Sequence, residues 1–194
     1  NATVHWGHAL VDVRQNDESV TAVFDTDGGP VEATGTWMIG ADGAGSRVRH
    51  SLGIEFEGFT WPERFVATNI RYPFETNGFS QTTNLIDDVY GAIISKIDNT
   101  GTTGLWRYTY CESADLPEKT VPERMPTFFA AILPTDERPE VAAFSPYRMH
   151  QRAATQFRAG RVLLAGDAAH ATNPTGGLGL TSGLFDTYVL EESL

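Results

Sequence analysis

A single cysteine, Cys111, is all the thiol chemistry in this chain. One thiol excludes an intrachain disulfide and a thiolate metal site. Basic residues are scarce as well: 14 Lys and Arg face 25 Asp and Glu, a formal charge of −11. Nucleic-acid binding needs a basic footprint to neutralise phosphates, so the charge argues against that class of partner, and the same argument disfavours an anionic membrane surface. No apolar run approaches the roughly 18 residues that cross a bilayer. Neither a Ser-His-Asp nor a Cys-His arrangement is present, and His, Cys, Asp and Glu do not cluster at metal-ligand spacing, so no metal is expected. The chain opens at Asn1 without an initiator Met or a signal peptide and enters a strand-like run almost at once. The expectation is a piece of a longer, cytoplasmic polypeptide, in which the sequon Asn1-Ala2-Thr3 is incidental.

The apolar content, 41% of 194 residues, suffices for a sizeable core. Residues 4–14 and 20–24 alternate apolar and polar around the turns Asn16-Asp17-Glu18 and Asp27-Gly28-Gly29-Pro30, which predicts an antiparallel meander. Trp37-Met38-Ile39-Gly40 is short, apolar on both faces and runs into glycines, the signature of a buried parallel strand. Residues 46–52 read as a short helix that Gly53 stops. The stretch from Ile54 to Arg152 reads as strand-rich, with strands over 64–72, 89–97, 104–111, 128–133 and 141–149. Pro117, Pro122 and Pro126 mark an irregular link with at most one helical turn. Residues 161–166 form another short strand, and 179–194 have helical spacing through Leu180, Leu184, Tyr188 and Leu190. Two β-then-helix units thus flank about 100 mostly β residues, which predicts a discontinuous domain with an insert and a crevice at the junction.

The strongest motif is Gly160-Arg161-Val162-Leu163-Leu164-Ala165-Gly166-Asp167-Ala168-Ala169-His170, continuing through Pro174 to Gly176-Gly177-Leu178-Gly179. Ligands of open α/β sheets bind beyond the carboxyl ends of strands, where Asp167 stands ready to accept hydrogen bonds from a sugar-like hydroxyl. The glycines let backbone amides approach a flat ring, and the helix that follows offers N-terminal amides to negative charge. The alternative is that Asp167 merely caps a helix. A second segment, Gly40-Ala41-Asp42-Gly43-Ala44-Gly45-Ser46-Arg47-Val48-Arg49, also follows a strand and opens a helix, about 125 residues earlier.

The later segment resembles the ribityl-binding GD segment, and the earlier one the DG segment, of the flavoprotein aromatic hydroxylases, the p-hydroxybenzoate hydroxylase-like family. Residues 146–152 resemble the same family's run into its last flavin strand. The resemblance implies an α/β fold: a partial, discontinuous FAD-binding domain of residues 1–53 and 153–194, with a mostly β (α+β) substrate-binding domain, residues 54–152, inserted. It implies FAD contacts at Asp42, Gly43, Ser46 and Arg49, and at Gly166, Asp167, Ala168, Pro174, Gly176, Gly177, Leu178, Gly179, Leu180 and Thr181, with Pro174 near the flavin ring. The implied chemistry is hydroxylation of a small aromatic substrate by dioxygen, with NADPH or NADH as reductant and no side chain acting as nucleophile. A flavin-dependent reductase or dehydrogenase, an inert excised fragment, and a homodimer are left open.

Two departures stand out. Thr181 occupies a position where the family usually has Asn. No Gly-x-Gly-x-x-Gly follows a strand and opens a helix anywhere in the chain, so the ADP-binding half of the cofactor site is not encoded in these residues. Further candidates are His150 and His170 as bases, and the strand 104–111, whose Trp106, Tyr108 and Tyr110 share one face and read as core or substrate lining. Arg107, on the other face, is a candidate partner for a substrate carboxylate.

Overall fold

The computed structural model describes residues 2–134 and 137–193, which divide into two compact units, residues 1–59 with 150–194, and residues 60–149. The first unit opens with a meander of β1 (Ala9–Gln15), β2 (Val20–Asp25) and β3 (Val31–Gly35), all antiparallel. Asn16 sets the first turn: its side-chain oxygen accepts the amides of Glu18 and Ser19 at 2.9 and 2.8 Å. Thr26 sets the second by donating its hydroxyl to the Gly29 carbonyl at 2.6 Å. β4 (Met38–Gly40) then leads through the Asp42 loop into α1 (Arg47–Ser51).

The long strand β5 (Phe56–Arg71) carries the chain into the second unit, built from β6 (Thr82–Leu85), β7 (Ala92–Asp98), β8 (Leu105–Ser113), α2 (Val121–Ile132) and β9 (Glu140–Ala154). Its sheet runs β9-β5-β8-β7-β6. β5 and β9 are continuous across the division, which therefore falls inside two strands and not in the loops where a sequence reading looks for boundaries. Back in the first unit lie β10 (Arg158–Ala159), β11 (Val162–Leu164), β12 (His170–Ala171) and α3 (Gly179–Ser193).

The segment 37–40 does form a parallel strand. Met38, Ile39 and Gly40 pair with Val162, Leu163 and Leu164, so the two chemistry-bearing segments leave one small sheet side by side. It is not buried on both faces, for Ile39 is 46% exposed. Gly40 is dictated by packing: a Cβ there would stand 2.7 Å from Val48 Cγ1 of α1. The core beneath joins Val20, Val48, Ile54, Ala154, Val162, Leu164 and Ala169.

The second unit departs from the sequence reading at residues 117–133. In place of an irregular link and a strand, the chain forms α2, a 12-residue helix. Pro122 lies in the first turn, where an amide has no intrahelical partner to lose, while Pro126 does remove a hydrogen bond. Packing offsets that loss. Val121, Met125 and Phe129, spaced by four, are buried on the sheet, and the Phe128 ring stacks on Tyr110 with centroids 4.0 Å apart. The helix covers Val66, Ile70, Ile94, Trp106, Tyr108 and Tyr110.

α2 is held down by a buried ion triad. Glu112, its side chain 1% exposed, accepts from Arg64 at 2.5 Å and from Arg124 of α2 at 2.7 Å. Arg64 also donates to the Leu116 carbonyl, and Arg124 to the Thr120 hydroxyl. Burial alone would raise the Glu112 pKa, but the hydrogen bonds and charges of Arg124 and Arg64 outweigh it and hold the carboxyl below the usual glutamate range.

α3 forms over the residues whose spacing predicted it, but no buried apolar stripe runs along it among the described residues. Leu180, Leu184 and Tyr188 are 77%, 60% and 58% exposed, and Phe185 and Val189 are exposed as well. No helix of the described residues is long and apolar enough to cross a membrane.

Candidate flavin site

The DG segment is a cap. Asp42 accepts the Ser46 hydroxyl at 2.5 Å and the amides of Arg47 and Val48 at 2.7 and 3.1 Å, while Ser46 accepts the Arg49 amide at 2.9 Å. Both Asp42 oxygens are thus used at the start of α1, whose first amides would otherwise lack partners. Gly43, with φ +83°, turns the loop so that the carboxylate can reach back.

Arg49 is 2% exposed, not an open surface contact. Its guanidinium donates to the Ala44 carbonyl at 2.7 Å and to the Ala168 carbonyl at 2.9 Å, and lies 3.9 Å from the centre of the Phe56 ring. Burial lowers its pKa, partly offset by the charge of Asp42. Arg49 is therefore a strut that ties the DG loop to the GD turn. Nothing in its spacing from Asp42 announced that, because the link spans 119 residues.

The GD segment leaves β11 at Ala165, whose amide donates to the Gly40 carbonyl at 2.9 Å. Gly166 adopts φ +57°, a left-handed conformation that favours glycine. It swings the chain so that Ala168 is buried while Asp167 is exposed. Asp167 makes no cap bond, which decides against the capping alternative, and among the described residues its carboxylate has no hydrogen-bond partner. It lines a cavity of about 480 Å³ together with Thr172, Pro174, Gly177, Gly179 and Leu180. Five of these six were singled out in the sequence; Thr172 was not. Around them, Asn173 accepts the Thr175 amide at 2.9 Å and so fixes the turn Pro174–Gly176. Gly176, Leu178 and Thr181 are exposed beside the cavity without lining it.

The remaining candidates separate cleanly. Tyr108 and Tyr110 are fully buried beneath α2, and burial pushes both phenol pKa values up, so neither lines a surface that a substrate reaches. Of the two readings the sequence left open, core and substrate lining, the burial beneath α2 selects core. Arg107, on the opposite face of β8, is exposed and donates to the Asn69 side chain at 3.2 Å. Burial pushes the Cys111 thiol up to about 11, the wrong direction for a nucleophile. His170 is not a free base: its Nε2 lies 2.8 Å from Asp186 Oδ2. Asp186 was missed in the sequence, although an acidic residue inside the mostly apolar stretch 184–190 was a signal. Among the described residues, no group of His, Cys, Asp or Glu could hold a metal ion.

A strand-end turn with an unpartnered carboxylate, a glycine-lined cavity and the start of a 15-residue helix fit the ribityl hydroxyls and ring edge of a flavin. The comparisons agree: the FAD binding domain family matches residues 1–194. The chain belongs to this family.

It is 48% identical, over its whole length, to 6-hydroxy-3-succinoylpyridine 3-monooxygenase HspB of Pseudomonas putida, covering 49% of that protein. It is 44% identical to the para-nitrophenol 4-monooxygenase of a Pseudomonas species, again over its whole length, covering 48% of that protein. The chain thus spans about half the length of the curated relatives it matches. Among solved structures, the p-nitrophenol 4-monooxygenase PnpA from Pseudomonas putida superposes with a TM-score of 0.88 at 43% identity, over 97% of this chain and 48% of that one. Aklavinone-11 hydroxylase, solved with FAD and aklavinone, superposes with a TM-score of 0.77 at 26% identity, over 94% of this chain and 36% of that one. The resemblance to flavoprotein aromatic hydroxylases, drawn from the DG and GD segments, is borne out, as is the α/β fold with a strand-rich sheet.

Proposed function

We propose that the full-length protein is a cytoplasmic FAD-dependent monooxygenase that hydroxylates a phenol-like aromatic substrate with NADPH or NADH and dioxygen. The observation that carries the reading is the unpartnered Asp167 carboxylate in the cavity at the start of α3, within a chain whose relatives are named as aromatic monooxygenases. Bound FAD supplies acceptance of hydride and activation of dioxygen; the protein supplies position and electrostatics. Asp167 would hold ribityl hydroxyls, the backbone from Pro174 to Leu180 would hold the ring-bearing end, and the α3 amides would favour negative charge there. Asp42 and Arg49 act from behind, shaping and joining the two loops. Arg107 is available to a carboxylate or nitro group on the substrate.

The decisive experiment is turnover of the full-length enzyme under labelled dioxygen. One labelled oxygen atom per hydroxylated product is expected. Cofactor oxidation with an unlabelled product would assign the fold to a reductase or dehydrogenase instead. A second measurement addresses the cavity. Asp167→Ala in the full-length protein is expected to weaken FAD binding by about 1.5–3 kcal/mol, the scale of a charge-assisted hydrogen bond. Unchanged affinity in a folded variant would remove Asp167 from the site.

A further inference from the structure

Asp186 has no place in the site so far, yet it holds the residue immediately before Asp167. A single oxygen, Oδ2, accepts the Gly166 amide at 2.7 Å and sits 2.8 Å from His170 Nε2. A carboxylate only accepts, so Nε2 donates to it. His170 is itself placed by Phe157, whose ring stacks on it at 5.8 Å, and by the pairing of β12 with β9. One turn earlier on α3, Gly183 comes so near that a Cβ there would lie 3.7 Å from Gly166 Cα. Asp186 and Gly183 thus present one face of α3 to the turn, and both contacts fall on Gly166, the residue immediately before Asp167. Asp186 and His170 side chains are 20% and 23% exposed, so the pair is mostly shielded from water.

We propose that Asp186, locked by His170, is a positioning residue for the flavin site: it clamps the Gly166 amide to α3 and so fixes the direction of the Asp167 carboxylate relative to the helix start that faces the same cavity. The clamp ties the turn that carries Asp167 to the helix that begins with Gly179 and Leu180, and all three residues line the cavity. Its free oxygen, Oδ1, is not needed for the role. The inference rests on the reading of this cavity as the flavin site.

The test is a double-mutant cycle in the full-length protein, read as the FAD dissociation constant and as the visible absorption band of the bound flavin. Asp186→Ala is expected to weaken FAD about tenfold or more and to shift the band, whereas Asp186→Asn, which keeps an acceptor for Gly166, restores affinity to within about threefold. If Asp186 acts through Asp167, its effect must shrink to about twofold or less in the Asp167→Ala background. Full additivity overturns the proposal, as does a loss by Asn equal to that by Ala. If Asp167→Ala weakens FAD and Asp186→Ala does not, positioning alone fails and the flavin reading stands. If neither weakens it, the flavin reading of the cavity fails and the proposal with it. Should Asp186→Ala not fold, His170→Phe, which removes the partner that locks Asp186, takes its place in the cycle: FAD binding weakened by an effect that shrinks in the Asp167→Ala background supports positioning, and unchanged affinity with an unchanged band overturns it.

Discussion

Glu112→Ala is expected to destabilise the second unit by about 3–5 kcal/mol, because it leaves the Arg64 guanidinium, 5% exposed, as an uncompensated buried charge. The loss should be centred on α2, since Glu112 is also the carboxylate that holds Arg124 of that helix. Glu112→Gln keeps the volume and one acceptor and should cost less. Denaturant unfolding followed by tryptophan fluorescence reads the effect, Trp106 lying in the affected core. A midpoint unchanged by the alanine variant would show that the triad is energetically idle. The same group predicts a pH dependence. Its folded pKa is depressed below the ordinary 4.5, so its contribution is fully present above that value and is lost as the pH falls through the folded pKa. Acid unfolding of Glu112→Gln should accordingly show a weaker pH dependence in that window than the parent.

The largest effect on binding is expected for the 194-residue chain by itself, which should hold FAD only at micromolar affinity or weaker. The chain has no Gly-x-Gly-x-x-Gly after a strand, and the carboxylate that would hold the adenosine ribose in such a turn is likewise not encoded in it. Each charge-assisted contact withheld costs about 1.5–3 kcal/mol, and every 1.4 kcal/mol is tenfold in affinity, so several together lower a tight site by orders of magnitude. Titration of FAD into the purified chain, followed by flavin fluorescence, measures it. A submicromolar constant, or flavin copurifying at one per chain, would mean that the ribityl and ring-facing half suffices. The full-length protein provides the reference, and the two should differ far more than Asp167→Ala differs from its parent.

The site was legible where its chemistry is local. Gly166-Asp167 after a strand, Pro174 and the glycines up to Gly179 fall within 14 consecutive residues, and the cavity is lined from that stretch and the residue after it. Local geometry depends on φ values and turn residues, which short-range sequence states directly. The meander was legible for the same reason, through Asn16 and the Thr26–Gly29 turn. Helix α2 was not, because Pro122 and Pro126 are local arguments against a helix, and what overrides them is burial of Val121, Met125 and Phe129 against strands that are remote in sequence.

The sequence by itself determined the family and the turn that exposes Asp167. Each rests on contacts within a few residues, where spacing and residue type are the physics. The tertiary structure alone decided that Tyr108 and Tyr110 are core, that Arg49 bridges to Ala168, and that Asp186 grips Gly166. These depend on which distant segments meet. A buried ring or a side chain bonded to a remote backbone group gains its role from the partner the fold brings to it, and that partner leaves no mark on the residues beside it in the chain.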